Sequence, residues 1–429
     1  MTKPPRKGGD TSMNALFAGI DVSLAENKAV FLDSTGEDVA TRLRFPNNAL
    51  GSELFLHKTL ELCSQLNPER LLFGLEATSM YGWHLAMVLN QAQQLAQFHP
   101  AVYLLNPRIV KGFKKSYPRV PKTDWADAWT IAQRLRFGQL PTPFRFEQRY
   151  FPLQRLTRLR VRLAKDITRE KNYFLTYLFL KCSGLTTEKP ISDFFGAAGS
   201  ALVTEWYSVE DIAAASLESL AQFLIDKSDN KFANPTEVAR QIQVAARHSY
   251  RLPTAVKGAV NHILASTLRH IRFLEGQLHE VSEAIAHEMK GLDNPLLTMP
   301  GLGPVFTAGI LSEIGSITNF GNDDDLAAFT GLTWNRKQSG PFQGEDSHLS
   351  GTGNVYLRHY FVEGANRVRM HDPVFRDYYQ RKFKEATIHQ HKRALVLTAR
   401  KLVRVVFALL RDNRPYSPPG KAGPYLQAA

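Results

Sequence analysis

The first 140 or so residues alternate short apolar runs with amphipathic stretches. Ala15 to Val22, Lys28 to Asp33 and Val39 to Phe45 are rich in branched and aromatic residues and are separated by Asp, Ser and Gly turn signals. That pattern predicts a three-stranded meander. Helical spacing follows over Leu50 to Leu66, then a buried-strand run Leu71 to Leu75, a helix from about Tyr81 to Gln97, a strand Ala101 to Leu105 and a helix Asp124 to Phe137. This β-β-β-α-β-α-β-α order predicts a mixed α/β sheet domain over residues 15–145.

From Leu153 the pattern turns purely helical. Leu156, Leu159, Leu163, Ile167, Phe174 and Leu178 recur at three- and four-residue steps or their sums, with arginines on the opposite face. A second stripe, Leu264, Ile271, Leu274, Leu278, Val281 and Ile285, keeps heptad-like spacing. The two predict a paired coiled-coil arm over residues 150–290, interrupted by an insert at 182–256 whose mixed helix and turn signals carry no assignable role. A glycine-richer, mostly helical region spans 291–411, and the polar or Pro/Gly-rich ends, 1–14 and 412–429, are expected to be disordered.

With 429 residues and 44% apolar composition the chain has material for more than one core. Two cysteines, Cys63 and Cys182, exclude a disulfide framework or a cysteine-rich zinc site and fit a reducing compartment. The first 13 residues lack the apolar core of a secretory signal, and the run Leu402 to Leu410 is broken by Arg404 and too short to cross a bilayer. A cytoplasmic, nucleoid-associated protein with no membrane role is expected.

Charge changes the picture. The net charge is +13, and residues 101–181 alone hold 18 Lys or Arg against 5 Asp or Glu, an excess equal to that of the whole chain. Two clusters stand out: Lys111, Lys114, Lys115 and Arg119, then Arg155, Arg158, Arg160, Arg162 and Lys165. Such a concentration is the footprint expected for a phosphate backbone.

Within the α/β domain, Asp21 ends the first strand, Glu76 ends the fourth, and Asp124 and Asp127 lie three apart at a helix start, on one helix face. Acids at neighbouring strand ends and a helix start can converge on one point of such a sheet. Four like charges repel unless cations neutralise them, and hard carboxylate oxygens suit Mg²⁺ or Mn²⁺. Two such ions about 4 Å apart clamp the attacking and leaving oxygens of a phosphodiester.

Gly19-Ile-Asp-Val-Ser, Glu76-Ala-Thr-Ser-Met-Tyr-Gly82, Leu105-Asn-Pro-Arg108 and Lys122-Thr-Asp-Trp-Ala-Asp-Ala together resemble the DEDD transposases of the insertion-sequence 110 group. The resemblance covers most of the chain outside the insert. It implies a resolvase-like (RuvC-like) ribonuclease H fold at the N-terminus, with Asp21, Glu76, Asp124 and Asp127 as the metal-binding tetrad. It also implies DNA strand cleavage and rejoining through a covalent serine intermediate, with Ser339 of the Ser339-Gly340 pair as nucleophile. Further implied are donor and target DNA as partners, a structured guide RNA encoded by the element, and a homo-oligomer, dimeric or tetrameric, in which the two halves of one active site come from different subunits. The chain departs from the family pattern at Trp334, where proline is usual, and over Ser350 to Gly353, where a lysine is common.

The C-terminal third adds phosphate-binding candidates. Thr298-Met-Pro-Gly-Leu-Gly-Pro304 leads into an apolar helix and resembles a helix-hairpin-helix element, in which Gly301 and Gly303 bring amide groups to a backbone phosphate. Asn354 and Arg358 lie one turn apart on the helix that follows, and Ser347 and Ser350 are the serines nearest to Ser339. A site-specific invertase of the same family and a junction-resolving nuclease using metal-activated water are the rival enzyme readings. An RNA-binding or architectural protein is the non-enzymatic one.

Overall fold

A computed structural model describes residues 14–77, 80–117, 121–146, 149–228, 232–334 and 349–418, and the backbone of 338–339 and 342–343. The chain divides into two units, residues 1–148 and 149–429.

The first unit is a five-stranded mixed sheet of order β3-β2-β1-β4-β5 with helices on both faces. Its elements run β1 (Ala15–Val22), β2 (Glu26–Leu32), β3 (Leu43–Pro46), α1 (Ala49–Leu66), β4 (Arg70–Glu76), α2 (Trp83–Gln91), a 3₁₀ turn (Gln93–Phe98), β5 (Pro100–Leu105), α3 (Pro107–Lys114) and α4 (Asp124–Phe137). β1, β2 and β3 form the expected antiparallel meander, while α1 carries the chain across so that β4 joins β1 in parallel and β5 joins β4. The period-two alternation of β1 divides its side chains between two cores. Leu16, Ala18 and Ile20 pack with Phe31, Phe45, Phe55 and Phe73 beneath α1 and α2, whereas Ala15 and Phe17 pack with Leu72, Tyr103, Ile131 and Leu135 beneath α3 and α4. β3 starts later than the apolar run predicts, although Val39 N–H still bonds Phe31 C=O at 3.1 Å. The predicted helix to Gln97 ends at Gln91 and tightens into the 3₁₀ turn, and α3 was not predicted.

Among the described residues, the second unit is helical apart from two short paired strands. α5 (Phe151–Lys181) and α11 (Thr254–Glu288) are the long pair, about 45 and 50 Å at about 1.5 Å per residue. They run antiparallel: Leu153 and Ile285 share one core, Leu163, Ile167 and Leu274 form a seam, and Phe174 and Leu264 share the opposite core. Lys171 closes on Glu275 at 2.7 Å across the pair. The insert packs onto that end of the pair: α6 (Ser183–Glu188), α7 (Ala197–Glu205), α8 (Val209–Ala214), α9 (Leu217–Ser228) and α10 (Pro235–Arg247) bring Leu202, Leu220, Leu224 and Ile242 into one core with Phe174 and Leu264.

At the other end of the arm, a 3₁₀ turn (Pro295–Thr298) leads to α12 (Pro304–Ile314), a second 3₁₀ turn (Ile317–Asn319) and α13 (Asp323–Thr330). The short strands β6 (Gln338–Ser339) and β7 (Phe342–Gln343) follow, then α14 (Val355–His371), α15 (Pro373–Glu385) and α16 (Gln390–Asp412). Two expectations are corrected. Leu159 is 41% exposed, because α5 meets α12 and α14 through Leu153, Thr157 and Val161, and Thr157 is hidden from an apolar count by its hydroxyl. The tail expected to be disordered from 412 is held at Tyr416, whose phenol donates to Asp372 Oδ2 at 2.7 Å and whose N–H reaches Thr298 Oγ1 at 2.8 Å. Residues 1–13 and 419–429 lie outside the described residues.

Candidate active site

Two glycines seat the helix that completes the acidic cluster. Gly19 on β1 and Gly74 on β4 are partners in the parallel ladder. A Cβ at Gly19 would lie 2.1 Å from Ala128 C=O, and one at Gly74 would lie 2.7 Å from Ile131 Cγ2. Without side chains there, α4 lies directly on the strands. Asp21 and Glu76 each follow their glycine by two residues, so both project from the face that α4 covers. Ile20 pairs with Leu75, which makes the acids the next residues along neighbouring strands. Thr123 caps α4, its hydroxyl accepting from Ala126 N–H at 3.3 Å, and the first turn carries Asp124 and Asp127.

The four carboxylates feel one another. Burial pushes the Asp21 carboxyl up from 3.8 to about 6, and the charges of Asp124, Asp127 and Glu76 push the same way against Lys28. Burial and the charge of Asp127 also raise Glu76. Among the described residues, no three acidic, histidine or cysteine side chains stand close enough together to hold a metal ion as they lie. Two of the acids instead hold lysines: Lys28 Nζ donates to Asp124 Oδ2 at 2.5 Å and Lys114 Nζ to Asp127 Oδ1 at 2.6 Å. Hard carboxylate oxygens are the donor chemistry a divalent cation takes, and holding one here would require Asp124 and Asp127 to loosen these lysine contacts.

Lys28 had no role in the sequence reading. Its signal is the register, since β2 places it on the rung opposite Asp21. Lys114, read as a phosphate contact, is turned onto the acidic cluster. Of its neighbours, Lys111 and Lys115 are exposed and Arg119 lies outside the described residues.

In the second unit, several residues read as phosphate contacts are used internally. Arg158 forks onto Glu313, Nε to Oε1 at 2.6 Å and Nη2 to Oε2 at 2.8 Å, and Glu313 is fully buried. Asn354 donates to the same carboxylate at 2.7 Å while its side-chain oxygen caps α14. Arg358 donates to Thr330 C=O at 3.1 Å, and Arg160 to Ser282 Oγ at 3.1 Å. Arg155 stacks on Phe151, its guanidinium 4.8 Å from the ring centre. Gly301 adopts φ +92°, and a Cβ there would meet the backbone of Arg367 and Val368 at 2.9 Å. Close packing on α14 and the positive φ both require a glycine at this position. Gly303, at the open N-terminus of α12, and Arg162 and Lys165, exposed on α5, are the candidates left facing solvent.

Ser339 lies in β6, paired with Phe342 of β7; its side chain lies outside the described residues, as does Ser347. Trp334 and Leu349 form a bridge that closes the base of this segment. Ser350 is committed elsewhere, its N–H to Thr333 C=O at 2.7 Å and its hydroxyl 3.1 Å from Thr333 Oγ1.

The sequence is similar to those of known proteins. Residues 18–180 match the family profile of DEDD transposases of the IS110 type, and residues 293–380 match that of the transposase IS116/IS110/IS902 family. The chain is similar to the 44.8 kDa protein of insertion element IS116 of Streptomyces clavuligerus, with 26% identity over 98% of this chain and 100% of that protein. It is 35% identical to the 43.6 kDa protein of insertion element IS110 of Streptomyces coelicolor over 38% of this chain and 40% of that protein. The 42 kDa protein of insertion element IS900 of Mycobacterium paratuberculosis is 26% identical over 71% of this chain and 75% of its own length. No helix among the described residues is long and apolar enough to cross a membrane.

Proposed function

The chain belongs to the IS110 group of DEDD transposases, and on that premise we propose that it cuts and rejoins DNA at insertion-element ends through a serine-linked intermediate. Asp21, Glu76, Asp124 and Asp127 hold Mg²⁺ or Mn²⁺, and Ser339 is the nucleophile. The observation that supports this best is the convergence of the four acids on one end of the sheet, where burial first, and then the charges of Asp124, Asp127 and Glu76, raise Asp21 to about 6. A bound divalent cation polarises the scissile phosphate and offsets the charge developing on its oxygens. Ser339 Oγ loses its proton and bonds to phosphorus as the bond from phosphorus to a strand oxygen breaks, that oxygen leaves as a protonated strand-end hydroxyl, and the resulting ester keeps the energy of the broken phosphodiester for rejoining.

Substrates are the donor and target DNA, and an element-encoded guide RNA selects both. The exposed cations Lys111, Lys115, Arg162 and Lys165 hold nucleic-acid backbone, in a binding that weakens steeply with salt. Homo-oligomerisation unites Ser339 of one subunit with the tetrad of another. Expression with the element and its flanking DNA tests this reading. Element excision with a specific copurifying noncoding RNA is expected from the wild type, and loss of excision from Asp21→Asn, Asp124→Asn and Ser339→Ala. Excision by Ser339→Ala would replace the serine route with hydrolysis by activated water, and recovery of random cellular RNA alone would remove the guide.

A further inference from the structure

Both acids at the start of α4 hold an ammonium group, and the two lysines come from different elements. Lys28 stands on β2 opposite Asp21, with its side chain only 19% exposed. Its Nζ lies 2.5 Å from Asp124 Oδ2 and 3.8 Å from Glu26 Oε1, and 5.8 Å from the centre of the Trp125 ring. Lys114, in the last turn of α3, is 20% exposed, with Nζ 2.6 Å from Asp127 Oδ1. Lysines on open surfaces rarely hold one conformation this closely, because fixing four rotatable bonds costs entropy that a solvated pair does not return. Here strand register fixes one lysine and helix packing the other, so the acidic cluster carries its own monovalent cations.

Resting on the metal site of the preceding section, we propose that Lys28 and Lys114 are resident counter-ions that a divalent cation must displace from Asp124 and Asp127. They keep the empty site assembled and weaken its affinity for metal. A carboxylate in contact with an ammonium group that also ligates a divalent ion at about 2.1 Å holds two cations within a few ångströms of each other, and their repulsion favours withdrawal of the ammonium. The work of separating the ion pairs is subtracted from metal binding. A site without the lysines would bind metal more tightly and, when empty, suffer unrelieved repulsion.

Mn²⁺ binding to the full-length, metal-free protein, followed by the electron paramagnetic resonance of free Mn²⁺, tests this alongside thermal melting without metal. Lys28→Met and Lys114→Met are each expected to bind Mn²⁺ about two- to fivefold more tightly than wild type, and to melt at a lower temperature when metal-free. Lys28→Arg should stay close to wild type on both readouts. Should one Met variant fail to fold, the other, on a separate element, carries the comparison. Met variants that bind Mn²⁺ no more tightly than wild type, while Asp21→Asn and Asp124→Asn lose binding, overturn the counter-ion role and leave the metal site standing. Unchanged Mn²⁺ binding in the two Asn variants overturns the metal site and the counter-ion role together.

Discussion

At the scale of single residues, Asp21 is held in a protonated tendency that the unfolded chain does not share. Its folded carboxyl titrates near 6 rather than 3.8, so between those values the folded chain binds the proton more firmly. The stabilisation this gives is complete below the unfolded value and is lost as pH rises through the folded one. Replacing Asp21 with Asn removes the buried charge and its repulsion with the other three acids. Without metal, Asp21→Asn should therefore melt above wild type at neutral pH, by about 1 kcal/mol once solvent screening is allowed for. The gap should close towards about pH 4. Equal melting curves at neutral pH would contradict the repulsion. The same residue shows what sequence reading reaches. Asp21 and Glu76 were legible because a carboxylate ending an apolar strand is out of place in a core pattern. Lys28 was not, because a lysine on a strand rung reads as an exposed side chain until the register sets it opposite Asp21.

Among elements, the seat of α4 on β1 and β4 decides whether the site forms. Gly19→Ala sets a methyl against the Ala128 carbonyl, which is backbone and cannot swing aside. A loss of about 2–3 kcal/mol in chemical denaturation is expected, with weaker Mn²⁺ binding as Asp124 and Asp127 move away. Gly74→Ala meets only the side chains of Ile131 and Leu135 and should cost less. A Gly19→Ala protein as stable and as tightly metal-binding as wild type would mean that α4 is seated some other way. In the second unit the Arg158–Glu313 fork ties α5 to α12. Glu313→Ala should cost about 2–3 kcal/mol, because it leaves the partly buried Arg158 guanidinium and the Asn354 amide without their acceptor, whereas a Leu pair at Arg158 and Glu313 should recover much of that. Long periodic elements were readable in advance: β1 and α4 fall on their predicted bounds. The insert was opaque because its helices are six to thirteen residues long, too short for a period to stand out, and their apolar faces make sense only against one another.

For the molecule as a whole, the proposed chemistry is divided between two units. The acids belong to the first and Ser339 to the second, and the charge excess of residues 101–181 runs across the boundary at 148. Composition forecast a polyanionic partner, but it could not separate cations bound to phosphate from cations that hold the protein together, as Arg158 and Lys114 do. Charge reversal therefore discriminates. Arg162→Glu with Lys165→Glu should leave the melting temperature within about a degree, since both side chains are exposed, yet flatten the salt dependence of nucleic-acid binding by about one to two ions released. An unchanged salt slope would move the backbone contact elsewhere. The central claim is that the acidic tetrad and one hydroxyl act on the same phosphodiester. It is tested most directly by mapping the covalent bond: purified protein, Mg²⁺ and element-end DNA are denatured and digested, and the peptide carrying a nucleotide is identified by mass spectrometry. The account predicts a nucleotide on Ser339 in the wild type and none in Asp124→Asn. Strand cleavage with no nucleotide on any residue, or with Ser339→Ala cutting as well as wild type, would contradict it.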